Sequence, residues 1–268
     1  MHPVERLRYV ANAGGYDPVS VAREAAYALA EISETDPPGL VPACRRLIDR
    51  HLTAGPLWWL SARMLADGDP ASAALVAADE LDEDQTDRTL ARAIPDDVTV
   101  LVIGWPDLAG AALRRRGDLE ALVMEAEGEG QSLARRLRDA GNEVSLVPDL
   151  GIGSAAVVAD LVLIEAHAAG PTGLLANRGS HAAAAVARQS DVPVWAVAGV
   201  GRVLPGPMWD ALLARIDDED EEPWDRSVEV VPAGLVSSVV GPEALSDGVE
   251  ALADAGCVVA PELLRPAG

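Results

Sequence analysis

Lysine is absent from this chain, so all 21 of its basic side chains are arginine. Set against 43 Asp and Glu residues, they leave a formal net charge of −22 at pH 7. Binding a polyphosphate backbone draws on clustered Lys and Arg, so this balance excludes a general nucleic-acid surface, and no direct nucleic-acid partner is expected. The acidity reads as coding bias or a high-salt cytoplasm, a property of habitat and solubility. Cysteine is nearly absent too. Cys44 and Cys257 lie far apart and in no metal-type spacing, so neither a disulfide framework nor a zinc site is supported. No apolar run approaches the roughly 20 residues that a membrane-spanning helix needs. The opening MHPVERLRYV lacks the build of a signal peptide. A cytoplasmic protein without membrane, metal or cofactor is therefore expected. Gly151-Ile152-Gly153 and Gly199-Val200-Gly201 fit turns, and neither has the spacing of a dinucleotide fingerprint.

What is present is ample apolar material: 49% of the 268 residues, enough for one large or two ordinary domains. Through residue 94 the apolar residues recur at helical spacing in VSVAREAAYALAEI, LVPACRRLIDRHL, PLWWLSARMLA and SAALVAADELDEDQTDRTLARAI. Pro18, Pro37-Pro38, Pro56 and Pro70 stand where helices begin or separate. This predicts a helical domain over 1–94, four helices after a short leader. From Asp97 the period changes. VTVLVI (98–103), LEALVME (119–125), EVSLV (143–147), DLVLIEA (160–166), VPVWAVA (192–198) and SVEVV (227–231) read as strands alternating with helical stretches. That pattern predicts an α/β domain over 95–268, a Rossmann-like, doubly wound parallel sheet with its ligand site beyond the carboxyl ends of the strands. The acidic run at 217–222 reads as a solvated loop.

Chemistry concentrates in residues 160–199. There a strand and a Gly-rich connection lead to Asn177-Arg178-Gly179-Ser180 and an Ala-rich helix. A helix opened by Gly-Ser behind an Arg offers backbone N–H groups, a hydroxyl and a guanidinium to one small volume, an arrangement that holds phosphate. Ordinary capping by Gly179 or Ser180 explains the same residues. His167 follows the strand two residues after Glu165, so side-chain alternation would place both on one side if the strand persisted. A His beside a carboxylate can exchange protons near neutral pH, and a structural ring bonded to backbone groups is the alternative. Gly104 ends the first strand and allows close backbone approach by a ligand. Around Glu127, the loop from Glu125 to Gly130 carries three carboxylates and repels a phosphate in the absence of a metal.

Taken in order, Glu165-Ala166-His167, Asn177-Arg178-Gly179-Ser180, Val192-Pro193-Val194 and VEVVPAGLVSSVV (228–240) resemble a known superfamily over roughly residues 98 to 262. It comprises the alpha, beta and delta subunits of translation initiation factor 2B, methylthioribose-1-phosphate isomerase and ribose-1,5-bisphosphate isomerase. The matching family motifs are Gly-Ala-Asp, Asn-Lys-x-Gly-Thr, a strand beginning with Pro, and Phe-Asp-x-Thr-Pro-x-x-Leu-Ile. In the last of these, Glu229, Pro232 and Leu235 stand at the corresponding places. The resemblance implies a helical amino-terminal domain, a phosphorylated small-molecule ligand and a homodimer or higher homo-oligomer, for which the apolar helices near the carboxyl terminus could supply the interface.

The departures fall on the residues to which the family's isomerase chemistry is attributed. Gly104 and His167 stand where family isomerases carry a Cys and an Asp, and Glu125-Ala126-Glu127-Gly128 replaces Glu-Ser-Arg-Pro, shortened by two residues. The amino-terminal Arg-Gly-Ala segment is not evident, with Gly14-Gly15 nearby. Three functional expectations follow. The first is a phosphorylated sugar or nucleotide bound at Asn177, Arg178, Gly179, Ser180, Gly104 and Glu127 without isomerisation. The second is an aldose-ketose isomerase, an intramolecular oxidoreductase, rebuilt on His167 with Glu165 or Glu127. The third is a subunit-interaction protein of translation-factor type.

Overall fold

The computed structural model describes residues 18–217 and 221–266. Part of the acidic run and the Gly14-Gly15 segment therefore lie outside the described residues. The helical half comprises α1 (Pro18–Thr35), α2 (Leu40–Arg50), α3 (Gly55–Ala66), α4 (Pro70–Asp82) and α5 (Thr86–Ala93). The prolines act as expected, with Pro56 and Pro70 in first turns, where a missing N–H costs nothing. Asp69 caps α4 by accepting from Ser72 N at 3.1 Å.

The fourth predicted helix is in fact two. Asp84 interrupts it, accepting from the N–H and hydroxyl of Thr86 at 2.8 and 2.6 Å and from Val200 N at 3.0 Å. The break turns α5 onto the sheet, where Leu90 and Ile94 join the sheet's core. Helices α1 to α4 close a separate core around Leu29, Ile48 and Trp58, which also takes Leu175, Trp209 and Leu212 from later in the chain.

The α/β half runs β1 (Thr99–Ile103), α6 (Asp107–Arg114), β2 (Glu120–Met124), α7 (Glu129–Asp139), β3 (Glu143–Val147), α8 (Ile152–Val158), β4 (Leu161–Glu165), β5 (Ala168–Gly170), β6 (Gly173–Asn177), α9 (Ser180–Gln189), β7 (Val194–Val197), α10 (Gly206–Asp217), β8 (Val228–Pro232), β9 (Ser238–Val240) and β10 (Leu245–Asp247). Seven strands form the central sheet in the order β10-β9-β7-β4-β1-β2-β3, parallel except for the β10 edge. Side-chain alternation divides its core. Leu101, Ile103, Leu122, Met124, Val162 and Ile164 pack on one face with α8 and α9, and Val100, Val102, Ala121, Val123, Leu161 and Leu163 on the other with α6 and α7. Burial on both faces is why these strands read as continuous apolar runs. The sheet order reverses between β1 and β4, the switch point at which doubly wound sheets open a crevice.

Three further expectations need correction. SVEVV does not join the parallel sheet. As β8 it pairs antiparallel with β6 in a separate sheet of order β5-β6-β8. The Gly-rich connection after β4 is a hairpin, β5–β6, whose Gly170 packs so close to Trp209 that a Cβ there would stand 2.3 Å from Cγ of the ring. Beyond Asp217 the described residues contain no α-helix, only short 3-10 turns at Ala233–Leu235, Glu250–Leu252 and Pro261–Leu264. Apolar helices at the carboxyl terminus therefore cannot supply an interface there. Both cysteines are free, and burial pushes the Cys44 thiol up to about 12 and that of Cys257 to about 11.

Candidate ligand site

A cleft of about 720 Å³ opens beyond the carboxyl ends of β1, β2, β3 and β4. Each wall follows from a strand ending. After Ile103 the chain must turn sharply toward α6, and Gly104 does so at φ +68°, a conformation that L side chains rarely adopt. A Cβ at Gly104 would stand 3.1 Å from Asn177 Nδ2 and 3.2 Å from Ala126 Cβ. After β2 come three consecutive positive-φ residues: Ala126 (42°), Glu127 (59°) and Gly128 (101°). Left-handed backbone at non-glycine residues costs about 1–3 kcal/mol each and persists only where the surroundings enforce it. Asp149, just past β3, supplies that constraint, accepting from Ala126 N at 2.7 Å and from Glu127 N at 3.5 Å.

The fourth strand stops at Glu165, which separates the two residues expected to act together. Glu165 turns inward. It pairs with Arg202 at 2.9 Å and accepts from Asp107 N and Ala109 N, in the first turn of α6, at 3.2 and 2.9 Å. His167 lines the cleft, which Glu165 does not. The partner of the His167 ring is Asn177, with Nε2 2.7 Å from Oδ1. Asn177 Nδ2 donates to Ile103 O at 3.5 Å, which orients the amide and leaves Oδ1 to accept from the imidazole.

Around the tetrad, Asn177 ends β6 and Gly179 is the N-cap of α9, at φ +96°. No side-chain hydroxyl caps the helix, and Ser180 is buried at 2% exposure. Glu229 of β8 meets the first turn instead, accepting from His181 N at 2.7 Å. Arg178 forms an ion pair with Glu127 across the cleft and donates to Trp224 O at 2.8 Å. The expected site residues thus divide. His167, Asn177, Arg178, Gly179 and Glu127 line the cleft, whereas Gly104 lies behind Asn177, Ser180 is buried beneath the turn, and Glu165 belongs to the Arg202 pair. The remaining charges on the lining are Glu129 and Asp149, so three carboxylates face one guanidinium. Arg202 and Trp224 escaped sequence reasoning because both act through contacts with residues distant in sequence. Among the described residues, no group of three or more His, Cys, Asp or Glu side chains is placed to hold a metal ion, and no helix is long and apolar enough to cross a membrane.

The family model described as "Initiation factor 2 subunit family" matches residues 72–222, more than half of the chain. The chain belongs to the initiation factor 2 subunit family. The match begins within α4, earlier than the motif resemblance. Among solved structures, the translation initiation factor eIF-2B of Pyrococcus horikoshii OT3 superposes with a TM-score of 0.75 at 15% identity, covering 93% of this chain and 98% of that one. The tetrameric eIF2B-beta2-delta2 complex of C. thermophilum gives 0.73 at 16% identity, covering 93% and 92%. The eIF2B delta of Chaetomium thermophilum gives 0.65 at 17%, covering 89% and 96%. Comparison with the curated proteins finds no significant match. At such identities the likeness of this family member to the solved structures is one of fold: amino-terminal helices followed by a largely parallel central sheet.

Proposed function

We propose that this member of the initiation factor 2 subunit family binds a phosphorylated sugar or nucleotide in the cleft beyond β1, β2, β3 and β4 and does not isomerise it. The observation that carries the reading is Gly104. At the end of β1, 3.1 Å from Asn177 by its missing Cβ, the chain offers backbone alone where the resemblance puts a proton-transferring Cys. A glycine cannot donate or accept a side-chain proton. The neighbouring imidazole of His167 is hydrogen-bonded to an amide, and Glu165 is held by Arg202. The cleft retains groups for recognition, namely the guanidinium of Arg178, the Asn177 amide and the ring of His167.

Glu127 holds Arg178, yet its side chain is 71% exposed. Exposed ion pairs contribute about 0–1 kcal/mol, so a dianionic phosphate can take its place. Thermal-shift titration with ribose 1,5-bisphosphate, methylthioribose 1-phosphate and adenosine monophosphate tests the reading. At least one should raise Tm in the wild type and fail to do so in Arg178→Ala, with no ketose formed. No shift with any of them, or a shift that survives Arg178→Ala, would overturn it. Turnover that disappears in His167→Ala would establish rebuilt isomerase chemistry instead.

One observation favours a second reading, a subunit-interaction protein with a vestigial cleft. Both anion-attracting features, Arg178 and the first turn of α9, are already met by the chain's own carboxylates, Glu127 and Glu229. Stable capture of a defined heterologous subunit without any small-ligand response would support it.

A further inference from the structure

Beyond the carboxyl ends of β7 and β9 lies a second cavity, of about 600 Å³, which shares no lining residue with the ligand cleft. The helical half forms one wall. Trp59 of α3 and Glu80 of α4 stand opposite the turns that follow the two strands, Gly199-Val200-Gly201 after β7 and Gly241 to Ala244 after β9. Gly201 sits at φ +74°, and a Cβ there would come within 3.0 Å of the Trp59 ring. The indole Nε1 donates to Gly256 O at 3.4 Å, which fixes the ring against the segment that closes the cavity.

The charge on this lining has one sign. Glu80, Glu83, Glu243 and Asp254 line the cavity, and no arginine or histidine does. Glu80 is paired with Arg63, which stacks on the Trp59 ring. Among the described residues, the exposed carboxylates of Glu83, Glu243 and Asp254 form no ion pair or hydrogen bond. The backbone adds to the field. Glu83 is the C-cap of α4, whose last turn carries no basic residue, so the negative end of the helix macrodipole lies at the cavity. Acids at a helix carboxyl end weaken the helix, and while Arg63 and Arg23 compensate Glu80 and Asp82, nothing compensates Glu83. Nor does a helix open directly behind β7 or β9, as α6 does behind β1: α10 begins only at Gly206, and β9 runs into β10. The helix N-terminus that makes a strand end attractive to anions is therefore missing on this side of the sheet. A local departure from stability beside a cavity is where function is expected.

Shape identifies the cation. Glu83, Glu243 and Asp254 come from three separate segments, and among the described residues no three His, Cys, Asp or Glu side chains are placed to hold one metal ion. The rest of the lining includes an apolar wall of Ala198, Val203, Val239 and Ala251. Spaced carboxylates around an apolar wall match a chain of ammonium groups joined by methylene segments, with the stems on the wall and the charged groups on the acids.

We propose that this cavity binds a linear polyamine, at a site separate from the phosphate-ester cleft. The inference does not rest on the ligand reading of that cleft, since the two share no residue.

Calorimetric titration of the full chain with spermidine tests it, at about 0.15 M sodium chloride, where screening beyond about 8 Å suppresses the diffuse attraction of the −22 charge. One saturable site should appear. Glu83→Gln with Glu243→Gln should weaken binding by about tenfold, without lowering Tm because both side chains are exposed. Asp254→Asn should weaken it in the same direction. Asp139→Asn with Glu143→Gln removes as much charge at the opposite edge of the sheet, and should leave the affinity within about twofold. Putrescine, with one ammonium group fewer, should bind more weakly than spermidine. The proposal would be overturned by the absence of a saturable site, by equal losses in the two double variants, or by displacement of spermidine by an equal concentration of magnesium. Tighter binding of a tri-arginine peptide would also overturn it, assigning the cavity to a basic protein segment instead.

Discussion

Single residues decide what the cleft can do. Arg178 is its cation, and Glu127 is the group that competes for it. Replacing Glu127 by Gln should therefore strengthen phosphate-ester binding, by up to about fivefold, the equivalent of an exposed ion pair. Stability should hardly change. Calorimetric titration of both proteins checks the prediction, and weaker binding in the variant would mean that Glu127 contacts the ligand directly. The tetrad was legible because a Gly-Ser helix start behind an Arg is a local pattern. Its neutralisation was not, because Glu127 and Glu229 lie 51 and 48 residues from the groups they meet. Sequence spacing likewise aligned Glu165 with His167 on the assumption of a continuing strand, whereas the strand stops at Glu165 and hands its carboxylate to Arg202.

The elements show why the parallel strands could be read and the hairpin could not. Strands buried on both faces announce themselves as unbroken apolar runs, and β1, β2, β3, β4 and β7 lie within a residue or two of expectation. Strands β5 and β6 are short and interrupted by glycine, and β6 finds its second partner in distant β8, so nothing local distinguished them from a loop. They are nonetheless tightly fitted. Gly170→Ala should destabilise the protein by about 1–3 kcal/mol, since the new methyl would overlap the Trp209 ring. Urea denaturation measures this, and a change below about 0.5 kcal/mol, the range of surface substitutions, would show that hairpin and α10 can part freely.

A second joint is Arg116, which donates to the carbonyls of Ala91 and Ile94 at the end of α5 and to Asp118 before β2. The Asp118 carboxyl is lowered from 3.8 to about 2, chiefly by its hydrogen bond to Arg116. Because the folded-state value lies below the unfolded one, this contribution is present above 3.8 and is lost as pH falls through that window. Asp118→Asn should accordingly flatten the acid limb of the stability curve between those values. An unaltered acid limb would count against the pairing.

For the whole molecule, charge is the dominant quantity. A net charge of −22 repels itself within the compact state, so Tm should rise with sodium chloride as screening lengths shorten. A Tm that falls or stays level would mean that the acids are already compensated by the arginine network. The fold itself was legible from the change of hydrophobic period near Asp97, which separates helical spacing from apolar strands, and the family match extends across that change. Less legible was the breadth of the shared core, because Leu175, Trp209 and Leu212 join α1 to α4 from far along the chain.

The central claim, recognition without isomerisation, is tested most directly by phosphorus NMR of ribose 1,5-bisphosphate with a stoichiometric amount of protein. The account predicts shifted and broadened phosphate resonances from the bound ester and no ketose product over prolonged incubation. Ketose signals growing with time, or phosphate resonances indistinguishable from those of the free ester, would contradict it.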